Sequence, residues 1–67
     1  MAVAGIDVGS LTAGGLIFDR GKVLGYAIIP TGASSKTAAE KATAEALNRA
    51  GMEYGDLEYI VATGYGR

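Results

Sequence analysis

"GIDVGSLTAGG", residues 5–15, packs a carboxylate, two hydroxyls and several glycines into the turn that follows an apolar run. How this stretch is read decides the fold. Its first part belongs to "AVAGIDVG", which alternates with the period of a strand. Ala4, Ile6 and Val8 fall on one face, and Val3, Gly5 and Asp7 on the other. A charged residue on an otherwise apolar strand needs a reason. Gly9 permits close backbone approach, and the amides of Ser10 and Leu11 can point at phosphate oxygens. The hydroxyls of Ser10 and Thr12 add donors. Asp7 can hold Mg²⁺, directly or through water, because that ion takes one or two carboxylates with phosphate and water. The plainer reading is a hairpin with polar turn residues. The stretch is neither a Walker loop nor a G-x-G-x-x-G turn.

Downstream, "GLIFDR" and "KVLGYAII" read as two more strands, joined by a hairpin turn at Asp19-Arg20-Gly21-Lys22. The connection from Gly9 to Gly15 also reads as a hairpin, with Gly14-Gly15 supplying positive φ. The three strands then form an antiparallel meander. After a break at Pro30-Thr31-Gly32-Ala33, "SSKTAAEKATAEALNRAG" has helical spacing. Ser34 or Ser35 caps its start. Ala38, Ala39, Ala42, Ala46, Leu47 and Ala50 form one face, with Lys36, Glu40, Lys41, Glu45 and Arg49 on the other. Glu45 and Arg49 stand at i,i+4. Gly51 suits the C′ position, and Met52 can fold back on Leu47.

A fourth strand spans Leu57 to Thr63. A strand reached through a helix is most naturally parallel to one already present, through a right-handed crossover. Pairing with the first strand gives the order 3-2-1-4, an α/β fold of βββαβ type. Val8-Gly9-Ser10 and Thr63-Gly64-Tyr65 then end at the same sheet edge, where open α/β sheets bind ligands.

Composition narrows the function. The chain has 67 residues, no cysteine, no histidine and a net charge of -1. Disulfides and thiolate metal sites are excluded, and the usual neutral-pH base is missing. No basic footprint for nucleic acid exists. No apolar run approaches the roughly 20 residues of a membrane span. The start lacks a basic n-region, so a cytoplasmic location is expected. A chain of this size buries only about 60% of the surface it exposes when unfolded.

Residues 5–32, "GIDVGSLTAGGLIFDRGKVLGYAIIPTG", resemble the first phosphate-binding region of the ATPase superfamily that holds actin, hexokinase and the heat-shock chaperones. "YIVATGYGR" narrows the likeness. The pair is similar to the amino-terminus of the Bad/Bcr-type ATPases. These are the activators of 2-hydroxyacyl-CoA dehydratases and the ATPase subunits of benzoyl-CoA reductases. The resemblance implies a ribonuclease H-like domain that binds ATP and Mg²⁺. It also implies homodimers around a shared 4Fe-4S cluster, with ATP hydrolysis driving a low-potential electron to a dehydratase or reductase partner. By position, Asp7, Gly9, Ser10 and Thr12 match the first phosphate motif, with Asp7 at the metal. Gly64 and Arg67 match the second signature.

Two departures bear on function. Relatives usually carry a lysine where this chain has Gly14. The second phosphate motif, adenosine motif and cluster cysteines of the family lie beyond the fourth strand. The chain is therefore expected to be an amino-terminal piece of such an ATPase, inactive alone and weak in nucleotide binding. It is also expected to self-associate, because both sheet faces are apolar and one helix covers only one of them. Two other readings are a self-associating structural fragment without activity and the amino-terminal half of a sugar kinase. Tyr26, Tyr54 and Tyr59 fit strand or loop-edge packing. Tyr65 either meets a missing half or caps the core. Glu40, Glu45 and Glu58 read as solvated charges.

Overall fold

Alternation along the first strand already separates a face for burial from one carrying Asp7, and the chain folds accordingly. The computed structural model describes residues 2–64. Its elements are β1 (Ala2–Val8), β2 (Thr12–Asp19), β3 (Lys22–Pro30), α1 (Ser35–Ala50), a 3-10 turn (Tyr54–Asp56) and β4 (Leu57–Gly64). The sheet order is β3-β2-β1-β4, with β1 antiparallel to β2 and parallel to β4. This is the expected βββαβ arrangement.

The β2–β3 turn uses two left-handed residues, Arg20 (φ 54) and Gly21 (φ 79), whose twist matches that of the flanking strands. The β1–β2 turn departs from expectation. It occupies only Gly9 to Leu11, because β2 begins at Thr12. Gly14 and Gly15 lie inside that strand, opposite Asp7 and Ile6, and neither has positive φ.

Packing explains one of these glycines. A Cβ on Gly15 would stand 2.7 Å from the Ala42 carbonyl oxygen, inside the helix backbone. Gly25 on β3 is alike: its Cβ would lie 2.6 Å from the Ala46 oxygen and 2.7 Å from the Ala50 nitrogen. The helix therefore rests on two bare positions, with Ala38, Ala42 and Ala46 facing the sheet and fully buried. Ile17, Ala27 and Leu47 fill the space on one side of this contact, and Ile6, Val8 and Ala13 on the other.

The helix ends are built as its sequence suggests. The Ser34 hydroxyl accepts from the Thr37 amide at 3.3 Å. Gly51 adopts φ 71, and the Met52 amide donates to the Leu47 carbonyl at 2.9 Å, closing a Schellman-type end. Thr43, on the buried face, satisfies its hydroxyl by donating to the Ala39 carbonyl. Arg49 pairs with Glu45 at 3.3 Å and also donates to the Tyr26 carbonyl on β3.

The helix lies over β3 and β2, reaches β1, and leaves β4 largely bare. Ile60 and Ala62, on its side of the sheet, stay exposed. On the opposite face Leu16, Phe18, Tyr26, Ile28, Tyr59 and Val61 are exposed too. Among the described residues no helix is long and apolar enough to cross a membrane.

The glycine contact makes a direct prediction. Gly15→Ala and Gly25→Ala force the helix off the sheet and should each cost about 1–3 kcal/mol or more. Gly5→Ala is the control, since its Cβ would meet nothing within 4 Å. It should leave stability unchanged or raise it by up to about 1 kcal/mol. Urea denaturation followed by circular dichroism measures all three.

Candidate functional site

Because β4 runs parallel to β1, the carboxyl ends of both strands reach the same edge, with Val8 in register with Gly64. The turn Gly9-Ser10-Leu11 rises from this edge. The Gly9 amide donates to the Thr12 carbonyl at 2.8 Å, which closes the turn. A second clamp comes from the segment after β3. The Thr31 amide donates to the Leu11 carbonyl at 2.9 Å, and the Thr31 hydroxyl donates to the Gly9 carbonyl at 2.8 Å. Thr31 is only 6% exposed. Gly9, Ser10, Leu11 and Thr12 are all exposed. No hydrogen bond among the described residues uses the amide of Ser10 or Leu11.

Asp7 sits one residue before the end of β1, between Gly14 of β2 and Thr63 of β4. Its side chain is exposed on the face away from the helix. A cavity of about 400 Å³ opens beside it on that face, walled by Leu16, Tyr26, Ile28 and Val61. Its floor is low because Gly5 and Gly14 carry no side chains. Gly9 shows no internal need for glycine. Its φ is not positive, and a Cβ there would meet the Thr12 oxygen at 3.5 Å, an ordinary contact.

Asp7, Gly9, Ser10, Thr12 and Gly64 are thus brought to one edge. Arg67 and Tyr65 lie outside the described residues. In the sequence Thr31 stands only within a chain break. The one signal for it was a hydroxyl residue directly after an apolar strand, where a polar side chain must be either solvated or bonded. Among the described residues no three carboxylates, histidines or cysteines gather as a metal cage. The 67 residues include no cysteine.

No family model matches the chain. It is 34% identical over 67 residues to the activator of lactoyl-CoA dehydratase from Anaerotignum propionicum, covering all of this chain and 26% of that protein. Solved structures agree. Component A of the (R)-2-hydroxyglutaryl-CoA dehydratase from Acidaminococcus fermentans superposes with a TM-score of 0.88 at 29% identity, over 100% of this chain and 26% of the other. The activator of the 2-hydroxyisocaproyl-CoA dehydratase from Clostridium difficile, solved with bound ADPNP, gives 0.83 at 28% identity, over 100% and 25%. A ROK hexokinase from Thermus thermophilus gives 0.79 at 26% identity, over 98% and 22%. The chain spans about a quarter of the length of the activators it matches. The fold is that of the actin- and hexokinase-like ATPases.

Asp7 is exposed and lies outside the packed core. Asp7→Asn should change unfolding free energy by less than about 1 kcal/mol, the range of sites outside a core. A loss of several kcal/mol on urea denaturation would make Asp7 a structural hydrogen-bonding centre instead.

Proposed function

Since this chain belongs to the Bad/Bcr-type family of dehydratase activators, we propose that its Gly9–Thr12 turn is the first phosphate-binding loop of a nucleotide-driven activator. One observation carries the reading. The carbonyls of Gly9 and Leu11 are both engaged by Thr31, while the Ser10 and Leu11 amides have no acceptor among the described residues. A turn with its acceptors tied back and its donors free, beside an exposed carboxylate, suits an anion with a cation. Asp7 fits Mg²⁺, which needs few protein carboxylates when phosphate and water complete its shell. Gly9 suits close approach of a phosphate, because the fold has no other use for a glycine there.

The nucleotide is ATP on this reading, in keeping with the ADPNP bound to the Clostridium difficile relative. The partner is a 2-hydroxyacyl-CoA dehydratase, or a benzoyl-CoA reductase in the related branch, and the setting is cytoplasmic. Gly64 backs the loop from β4, and Arg67 belongs to the same signature. The 4Fe-4S cluster of the family does not fit this chain, which has no cysteine to ligate it. Electron transfer is accordingly assigned to no residue here. The apolar face opposite the helix supports self-association, most simply as a two-fold dimer. The likeness to a hexokinase supports a second reading, phosphorylation of a sugar, which would use the same loop.

Gly14 supplies the test. A lysine there has room, since a Cβ would stand 3.9 Å from the Ala27 oxygen and 4.0 Å from the Asp7 oxygen. The 67-residue chain should bind Mg-ADPNP more weakly than micromolar and hydrolyse no ATP. Gly14→Lys should tighten binding about tenfold, or about 1.4 kcal/mol. Isothermal calorimetry measures both. Unaltered affinity in Gly14→Lys, or binding indifferent to Mg²⁺, would count against the loop as a phosphate site. Affinity raised by an added hexose would favour the sugar kinase reading.

A further inference from the structure

We propose that Thr31 is the positioning residue of the phosphate loop, its hydroxyl locking the Gly9–Ser10 peptide so that the Ser10 amide faces the ligand. The proposal rests on the phosphate-loop reading above. Its basis is peptide planarity. The carbonyl of Gly9 and the amide of Ser10 belong to one rigid trans unit and point in opposite directions. The Thr31 hydroxyl holds that carbonyl at 2.8 Å from the buried side. The Ser10 amide is thereby turned away from Thr31.

Without this bond the peptide is free to turn. Gly9 has no Cβ, so rotation about its bonds meets little steric resistance. A flipped unit would present a carbonyl oxygen to the phosphate, and two electron-rich oxygens repel. The glycine that admits a phosphate therefore needs an external lock. Threonine suits that task because its branched side chain is stiff at χ1. Thr31 is also held by its own amide, which donates to the Leu11 carbonyl at 2.9 Å. Any residue but proline keeps that second bond, so only the hydroxyl is specific to the lock. The buried position of Thr31 keeps water from competing for the Gly9 carbonyl.

The test is nuclear magnetic resonance of the 67-residue chain with Thr31→Val, which keeps shape and amide, and Thr31→Ser, which keeps the hydroxyl. Unliganded Thr31→Val should show a shifted or exchange-broadened Ser10 amide, and Thr31→Ser should match the wild type. Titration with Mg-ADPNP should show Thr31→Val binding about tenfold more weakly, the effect of one misdirected donor to a charged group. Thr31→Ser should stay close to wild type. An unchanged Ser10 amide, or unchanged affinity in Thr31→Val, would overturn the proposal while leaving the loop reading intact. A wild-type chain whose Ser10 and Leu11 amides ignore Mg-ADPNP would instead overturn the loop reading, and the ligand half of this proposal with it. If Thr31→Val does not fold, the wild-type Thr31 hydroxyl proton decides. Slow exchange and coupling to the Gly9 carbonyl carbon support the lock, and rapid exchange refutes it.

Discussion

The contact between α1 and two glycines governs the structure. At Gly15 and Gly25 the helix backbone occupies the space where side chains would otherwise begin. Close approach lets small residues form a dense interface, since dispersion falls steeply with separation. The cost is a thin core. Most buried apolar residues are alanines, and the largest fully buried side chain is Ile17. Stability in such a domain depends on fit more than on apolar area, so an added methyl in the contact does more harm than a lost methyl at its rim. The same closeness lets Arg49 reach past the helix to the Tyr26 carbonyl on the outer edge of β3. Pro30 removes a donor from that edge as well, and both features discourage further strand pairing there.

The crossover built on this contact assembles the candidate site. With α1 laid over β3 and β2, the chain passes across the sheet and returns beside β1. Gly64 then stands next to Val8, and the ends of two parallel strands frame the turn at Gly9. The start of the helix matters equally. Thr31 follows β3 directly, and Gly32, at φ 69, turns the chain toward the Ser34 cap. Seating the helix thus fixes the segment that holds the loop from behind. Packing and site are coupled through the short segment 31–34, not through a long network.

The face away from the helix has a different character. Gly5 and Gly14 leave a trough whose walls are apolar and whose one end carries Asp7. Neighbouring Ile28 is 67% exposed. The sheet is therefore patterned on both sides, and the described residues cover one. The activators that share this fold are about four times as long, the chain covering 26% of one and 25% of another.

Much of this was legible in the residue order. The alternation of β1, the spacing of the alanines in α1, the Ser34 and Gly51 ends and the βββαβ order follow from local geometry and handedness, which act over a few residues or over topology alone. The motif carrying Asp7, Gly9, Ser10 and Thr12 was visible for the same reason, as a short run in one turn. Gly14 and Gly15 resemble turn residues in the sequence because a glycine's sequence neighbours cannot tell a positive φ from a close approach. That distinction depends on Ala42, far along the chain, and on where the helix comes to rest. The role of Thr31 is hidden on similar grounds, since its hydroxyl acts on a carbonyl 22 residues away. Sequence by itself determined the elements, their order and the residue types of the loop. Only the tertiary structure decided which glycines were spaces for a helix and which threonine held the loop, because both depend on distances between segments that meet only after folding.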